Sequence, residues 1–520
     1  MSVRTPQQRS TRSVRHARDD APVTGWRRAA ADWTVVGAST ALCHALGVAT
    51  SLLLRLILSP AQMGIWQAIK MFLAHGNYAN LGISKGAIRE YTIARGARAR
   101  EAAAHAVSPA DSEDARRWLH LAFSFNTVTS LIYALLMSGA AAWIFFGTSD
   151  VWTSAWAAGF AMVGLLAVLS RYVTFHVTIL RARQAFTITS KLSILEAVLT
   201  LVVACGLTYC FGLTGLYFGT LVVMLGAALY VVRNRGASLA WAWNWPEMRR
   251  LIGIGAPILL AGTTMTLLRS LDKLAILAWF PDREYQLGCY SLALMAATQL
   301  FGLGTMFSMV MSPRYGEKLG HSRDSGAVAR LAARTTEIQA AAITLPAAWT
   351  LVAAAPLLGW LLPDYAAGLP SLVLLMPGVI CLTIALPAQE YLVAVNRQKQ
   401  ALGILVLTTI LAAVGNGVAL IAGYGLAGVA VATSLGYAIY MLLIISTSIW
   451  TAVDRRTRRR SLTLVLLITI PPTALAWYLA SDPITLTADW HTWANVGVRA
   501  LLVSIAWSLG ATLAWRWRGR

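Results

Sequence analysis

Charge is what this sequence has little of. Only 12% of its 520 residues are Asp, Glu, Lys or Arg, and 22 of them are acids, whereas soluble domains carry about 25% charged residues. So little charge cannot cover a water-facing surface, which excludes an ordinary soluble domain. Cysteine is also scarce. Cys43, Cys205, Cys210, Cys289 and Cys381 all lie in apolar segments without metal-ligand spacing, so neither a disulfide framework nor a metal site is expected. The eight His are scattered singly. No Ser-His-Asp set or Walker loop rises above chance, so no cofactor and no enzymatic activity is expected. Residues 1–32 are Arg-rich and polar with no apolar core, which reads as a cytoplasmic tail and not as a signal peptide.

What is present is apolar length. The chain is 57% hydrophobic, with mean hydropathy +0.61. A bilayer core needs ~20 apolar residues per helix, and such runs recur throughout. The reading is an all-α polytopic membrane protein with about 14 transmembrane helices: 33–58, 64–83, 118–146, 153–180, 188–211, 215–232, 251–280, 287–311, 335–361, 370–396, 401–422, 426–450, 461–481 and 495–514. The connecting segments on one side hold 36 Lys and Arg. Those on the other hold only Arg283, against Asp150, Asp282, Glu284, Asp364, Asp482 and Asp489. The positive-inside rule then places both termini in the cytoplasm, in an inner (cytoplasmic) membrane. The net charge of +21 is topology plus attraction to anionic headgroups of membrane lipids, and no nucleic-acid partner is expected. The longest loop, 84–117, is expected to form a surface helix, and no loop is large enough for a domain.

The chain reads as duplicated. "GLTGLYFGT" (212–220) and "GLAGVAVAT" (425–433) share G-L-x-G-x-x-x-small-Thr at corresponding places. "MGIWQAIKMF" (63–72) and "LGCYSLALMA" (287–296) likewise open the second and eighth spans. The expected organisation is a tail (1–32), an N-terminal lobe of six spans (33–232), a linker (233–250), a C-terminal lobe of six spans (251–450), and two further spans with the C-terminus (451–520). Parallel repeats of this kind enclose a central pathway and favour alternating access.

Ionisable groups within spans are the functional candidates, because each costs about 2.5–3.5 kcal/mol on insertion scales. The bases are Arg55, Lys70, Arg171, Arg269, Lys273 and Arg499, and the acids Glu196, Asp272 and Glu390. "LLRSLDKLAIL" (267–277) groups Arg269, Asp272 and Lys273 near one helical face. Asp272 can neutralise one base, leaving a cationic surplus suited to a multivalent phosphate. Structural alternatives stand beside this. Arg269–Asp272 reads equally as a packing ion pair. Arg55 and Arg499 can snorkel or pair, and Glu196 and Glu390 can carry a coupling cation or simply neutralise Arg. Pro257, early in the seventh span, is a candidate hinge, or an inert kink.

"LLRSLDKLAILAWFPDREYQLGCYSLA" (267–293) resembles the seventh and eighth spans of the Wzx-type polysaccharide flippases, of the multidrug/oligosaccharidyl-lipid/polysaccharide exporter (MOP) superfamily. "LILSPAQMGIWQ" (56–67) is similar to their first inter-span turn and "ILRARQAF" (179–186) to the inner end of their fourth span. The resemblance implies two six-helix lobes around a central cavity plus two C-terminal helices. It implies transfer of undecaprenyl-pyrophosphate-linked oligosaccharide to the outer leaflet for polysaccharide biosynthesis. A polysaccharide polymerase and chain-length proteins are candidate partners. The alternatives are a cation-coupled drug or small-molecule antiporter of the same superfamily and a lipid II flippase. An antiporter normally wants exposed carboxylates, and here six span bases face three acids.

Overall fold

The computed structural model describes residues 21–92, 113–147, 154–183, 185–234, 239–322, 324–481 and 490–518. Asp150, Asp482 and Asp489, most of the tail and the middle of the 84–117 loop lie outside these residues. Every element among those described is helical. Eleven helices are long and apolar enough to cross a membrane. One of them, Phe186–Asn234, has 49 residues, about 74 Å at 1.5 Å per residue, and cannot be a single crossing. It folds back at Gly212, whose φ of 58° and ψ of −139° are open to glycine. Counting it as two, and adding the 17-residue Pro60–Gly76 helix and the run from Ser325 to Leu361, gives fourteen passes.

In chain order the helices that position the site are α1 (Ala21–Ile57), α2 (Pro60–Gly76), α3 (83–92), α4 (Glu113–Phe146), α5 (Ser154–Ala182), α6 (Phe186–Leu199), α7 (Cys205–Asn234), α8 (Trp245–Leu268), α9 (Leu271–Trp279) and α10 (Arg283–Ser322). The C-terminal half continues with α11 (Ser325–Trp349), α12 (Ala355–Leu361), α13 (Leu369–Ile384), α14 (Leu386–Ala394), α15 (Gln398–Ile421), α16 (Gly425–Thr447), α17 (Ile449–Ala452), α18 (Arg455–Ser481) and α19 (Trp490–Arg518). In the first half α4 packs on α5, α6 on α1, and α7 on α5. In the second, α13 and α15 pack on α16, and α10 on α13. The last pair, α18 and α19, packs on α11.

Local chemistry explains these elements. Helix α2 opens on a capping box, with Ser59 and Gln62 each accepting the other's backbone N–H. Asp454 caps α18 by accepting from Thr457 N at 3.0 Å and Thr457 Oγ1 at 2.6 Å. Those hydrogen bonds hold its carboxyl below the usual carboxylate range. Buried hydroxyls return to their own helix, as Thr208 does to Ala204 O and Thr344 to Ala340 O, so little polar surface is left for lipid. Phe146, Tyr209, Ile421 and Leu135 point outward, as a lipid-facing surface requires.

The repeated motifs share features of backbone geometry. Gly212 and Gly425, each first in its repeated motif, have φ of 58° and 59°. The paired glycines of the other motif meet across the lobes. A Cβ on Gly64 would collide with the Glu284 carbonyl, and one on Gly288 with the Pro60 carbonyl. Each glycine thus lies against the residue four before its counterpart, so α2 and α10 are packed around a local pseudo-two-fold axis.

Candidate functional site

A cavity of about 560 Å³ lies between α1, α2, α6 and α7 on one side and α8, α9 and α10 on the other. Its wall follows from helical periodicity. Helix α1 contributes Gly47, Thr50, Ser51 and Leu54, and α2 contributes Met63, Trp66, Gln67, Lys70 and Ala74. Spacings of three and four put each set on one face. Helix α10 adds Leu294, Met295, Thr298 and Gln299 in the same rhythm. Ala197 and Thr200 enter from the end of α6, where Thr200–Ala204 widens to a π-turn, a distortion common at functional sites.

Four of the six candidate bases converge here: Arg55, Lys70, Arg269 and Lys273 all line the cavity, and no carboxylate does among the described lining residues. Arg55 is 4% exposed and is fixed by four hydrogen bonds. It donates to Ser51 O at 2.7 Å and Ser51 Oγ at 2.6 Å, and to Ser291 Oγ at 3.2 Å and Ser291 O at 2.8 Å. It therefore ties α1 to α10 while supplying a fixed charge. Lys70 is exposed toward the cavity and stands in the field of Lys273 and Arg55. Arg269 lies over the Phe301 ring at 3.9 Å, a cation–π contact. Among the described residues no carboxylate forms an ion pair with any of these four bases.

Asp272 lies beside the cluster but does not neutralise it through an ion pair. It is 1% exposed. Its Oδ1 accepts from Lys273 N at 2.8 Å and its Oδ2 from Tyr290 OH at 3.1 Å. Its charge still acts on Lys273 and Arg269, while its hydrogen bonds attach it to the first turn of α9 and to α10. The seventh span is interrupted, but not at the candidate hinge Pro257. Helix α8 runs unbroken through Pro257. That proline is exposed on the outer surface, and nothing crowds Gly253 one turn before it. The interruption comes at Arg269 (φ −81°, ψ 1°) and Ser270 (φ −121°, ψ −4°). The seventh span is therefore two half-helices meeting at the cavity. The negative C-terminal end of α8 and the positive N-terminal end of α9 meet there.

The remaining candidates lie off the wall. Arg171 turns into the α4–α5 interface, donating to Asn126 Oδ1 and Thr129 Oγ1. Arg499 donates to Leu479 O and, at 3.3 Å, to Asn495 Oδ1, joining the ends of α18 and α19. Glu196 faces Cys43 of α1 and feels Arg181. Glu390 sits near Tyr315 and Tyr440. What the charge inventory missed are the neutral hydrogen-bonding groups of the wall: Thr50, Ser51, Gln67, Thr200, Thr220, Thr298 and Gln299. Their spacing with Lys70 along α2 and with one another along α1 and α10 was a legible signal. Gln299 also reaches His44, whose Nδ1 is 3.1 Å from its Oε1.

Contacts bracket the cavity at both ends. At the acid-bearing end Tyr365 OH donates to Leu58 O at 2.7 Å and Trp156 Nε1 to Glu284 Oε1 at 2.8 Å, beside the Gly64–Gly288 seam. At the basic end Gly82 and Gly255 approach too closely for a Cβ on either, and Tyr78 OH lies 2.5 Å from Thr266 Oγ1.

The same architecture occurs in solved structures. A multidrug resistance MATE family transporter of the MOP superfamily, in an inward-facing conformation, superposes with TM-score 0.62. It is 14% identical over 79% of this chain and 94% of its own. The chain has the MOP-superfamily fold. The MOP-fold lipid II flippase MurJ, inward closed, gives TM-score 0.60 and 12% identity over 94% of this chain and all of its own. A MOP superfamily transporter from Pyrococcus furiosus, whose description notes reverse polarity of the binding pocket, gives TM-score 0.56 and 14% identity over 80% and 93%. Residues 109–362 match the model of a family described as polysaccharide biosynthesis protein. No curated protein matches the chain.

Proposed function

We propose that this MOP-fold protein flips an undecaprenyl-pyrophosphate-linked oligosaccharide from the inner to the outer leaflet of the cytoplasmic membrane, by alternating access of the cavity between its lobes. The observation that carries the reading is the convergence of Arg55, Lys70, Arg269 and Lys273 on one wall without a carboxylate among the described lining residues. A pyrophosphate is multivalent and anionic. In a partly dehydrated cavity, two unit charges 4 Å apart at an effective dielectric near 20 interact by roughly 4 kcal/mol before desolvation. Arg269 offers a planar fork of donors and Lys70 and Lys273 mobile point charges. The hydroxyls and amides of Thr50, Gln67, Thr298 and Gln299 suit the hydroxyls of a sugar. The polysaccharide-biosynthesis match over 109–362 agrees with a lipid-linked glycan. The fold relationship to a lipid II flippase agrees with a lipid-pyrophosphate cargo. A cation-coupled drug antiporter finds no carboxylate on the described wall.

The residues proposed to bind substrate are Arg55, Lys70, Arg269 and Lys273. Arg171 and Arg499 are not among them. The test is binding of undecaprenyl pyrophosphate to purified protein in nanodiscs at several salt concentrations. Affinity is expected to fall with salt and to drop at least tenfold in Arg269→Gln and Lys273→Gln. Binding insensitive to salt and to both substitutions sinks the assignment, as does robust efflux of cationic dyes on overexpression.

A further inference from the structure

The base that sequence analysis placed in the cavity and the fold placed elsewhere has an unmet requirement. Arg171 is 3% exposed within the membrane. Its Nη2 donates to Asn126 Oδ1 at 3.1 Å and Thr129 Oγ1 at 2.7 Å. Its Nε and Nη1 are buried and have no acceptor among the described residues. No ion pair reaches it there. A neighbouring titratable group is the Tyr133 phenol, a neutral group that donates its proton to Phe72 O at 2.8 Å and brings no negative charge.

A guanidinium stays protonated in proteins, so this charge cannot be removed by loss of a proton. A buried charge with bare donors is among the most destabilising features a fold can hold. An acceptor carrying negative charge supplies the missing countercharge and takes one of the bare donors. It must also be small. The burial of Arg171, 3% exposed, leaves no opening for a headgroup or a pyrophosphate.

We propose that the α4–α5 interface holds a small monovalent anion, of the chloride class, on the unpartnered Nη1 of Arg171, at a site separate from the central cavity. The anion is a structural counter-ion of the N-terminal lobe, and its occupancy sets how firmly α4 and α5 are joined.

The experiment is thermal unfolding of the purified full chain in chloride-free gluconate buffer, titrated with chloride at constant ionic strength. Because the cavity bases can also attract anions, Arg269→Gln/Lys273→Gln is measured in parallel. A saturable rise in Tm of about 2 °C is expected in the wild type and in that double variant, by linkage of binding to folding, and none in Arg171→Gln. Inorganic phosphate is expected to give no rise. The proposal is overturned if the wild type ignores chloride, if Arg171→Gln responds equally, if the response disappears with the cavity bases, or if phosphate substitutes for chloride. Should Arg171→Gln fail to accumulate, wild-type crystals grown in bromide decide the matter. An anomalous peak within hydrogen-bond distance of Arg171 Nη1 supports the site, and its absence there overturns it.

Discussion

Replacing Gly288 by alanine is the most informative single perturbation of the lobe seam. In the present conformation a Cβ at position 288 would collide with the backbone carbonyl of Pro60, as one at Gly64 would with that of Glu284. The obstacle is main chain, so no rotamer change relieves it, and α2 and α10 must part. Overpacking of this kind costs about 1–3 kcal/mol in the closed seam. A state with the seam open escapes that cost. The equilibrium between the two should therefore move toward the open seam by about 5- to 150-fold. The assay is a distance distribution between spin labels on cysteines introduced at Ala61 and Asp364, in a cysteine-free background in nanodiscs. Gly288→Ala is expected to enrich a longer-distance population, Gly64→Ala to do the same, and glycan export to fall in both. An unchanged distribution with a lowered Tm refutes the reasoning, because it makes the seam ordinary packing that does not open during the cycle.

Other outcomes follow from the same geometry. Lys273→Ala and Arg269→Ala should insert and accumulate nearly normally yet abolish glycan delivery to the outer face; full complementation of a null strain by both would make them structural. Tyr290→Phe removes the donor to a carboxylate that is 1% exposed and should destabilise the fold by about 1–3 kcal/mol, with Asp272→Asn in the same chain recovering part of it; a neutral Tyr290→Phe in thermal unfolding contradicts this. A cysteine at Asp364 should react with an impermeant maleimide in intact cells, and protection until lysis would reverse the orientation.

The legibility of this protein divides along a physical line. Hydropathy is a property of segments, so the fourteen passes could be read from the chain, including the pair hidden in one 49-residue helical run, because "GLTG" flagged the reversal at Gly212. In the second repeat Gly425 has nearly the same positive φ, 59° against 58°, a value that a residue without Cβ adopts cheaply. Position along a span follows from counting residues at 1.5 Å each. What that count does not give is the direction of a side chain around the helix axis, where each residue turns by about 100°. Arg171 and Lys273 are both bases within spans. One faces Asn126 and Thr129, the other the cavity. The clue lay not in Arg171 but in the fourth helix, where Asn126, Thr129 and Ser130 form a polar face at spacings of three and four and so offer a buried arginine somewhere to point. At Pro257 the sequence marks a hinge or an inert kink, and the helix runs through it unbroken. A proline removes one hydrogen bond wherever it stands, but a helix is interrupted where neighbouring packing and charge demand it. Here that place is Arg269–Ser270, where breaking the span brings Arg269, Lys273 and the amide end of α9 to the wall that Arg55 and Lys70 approach from the other lobe.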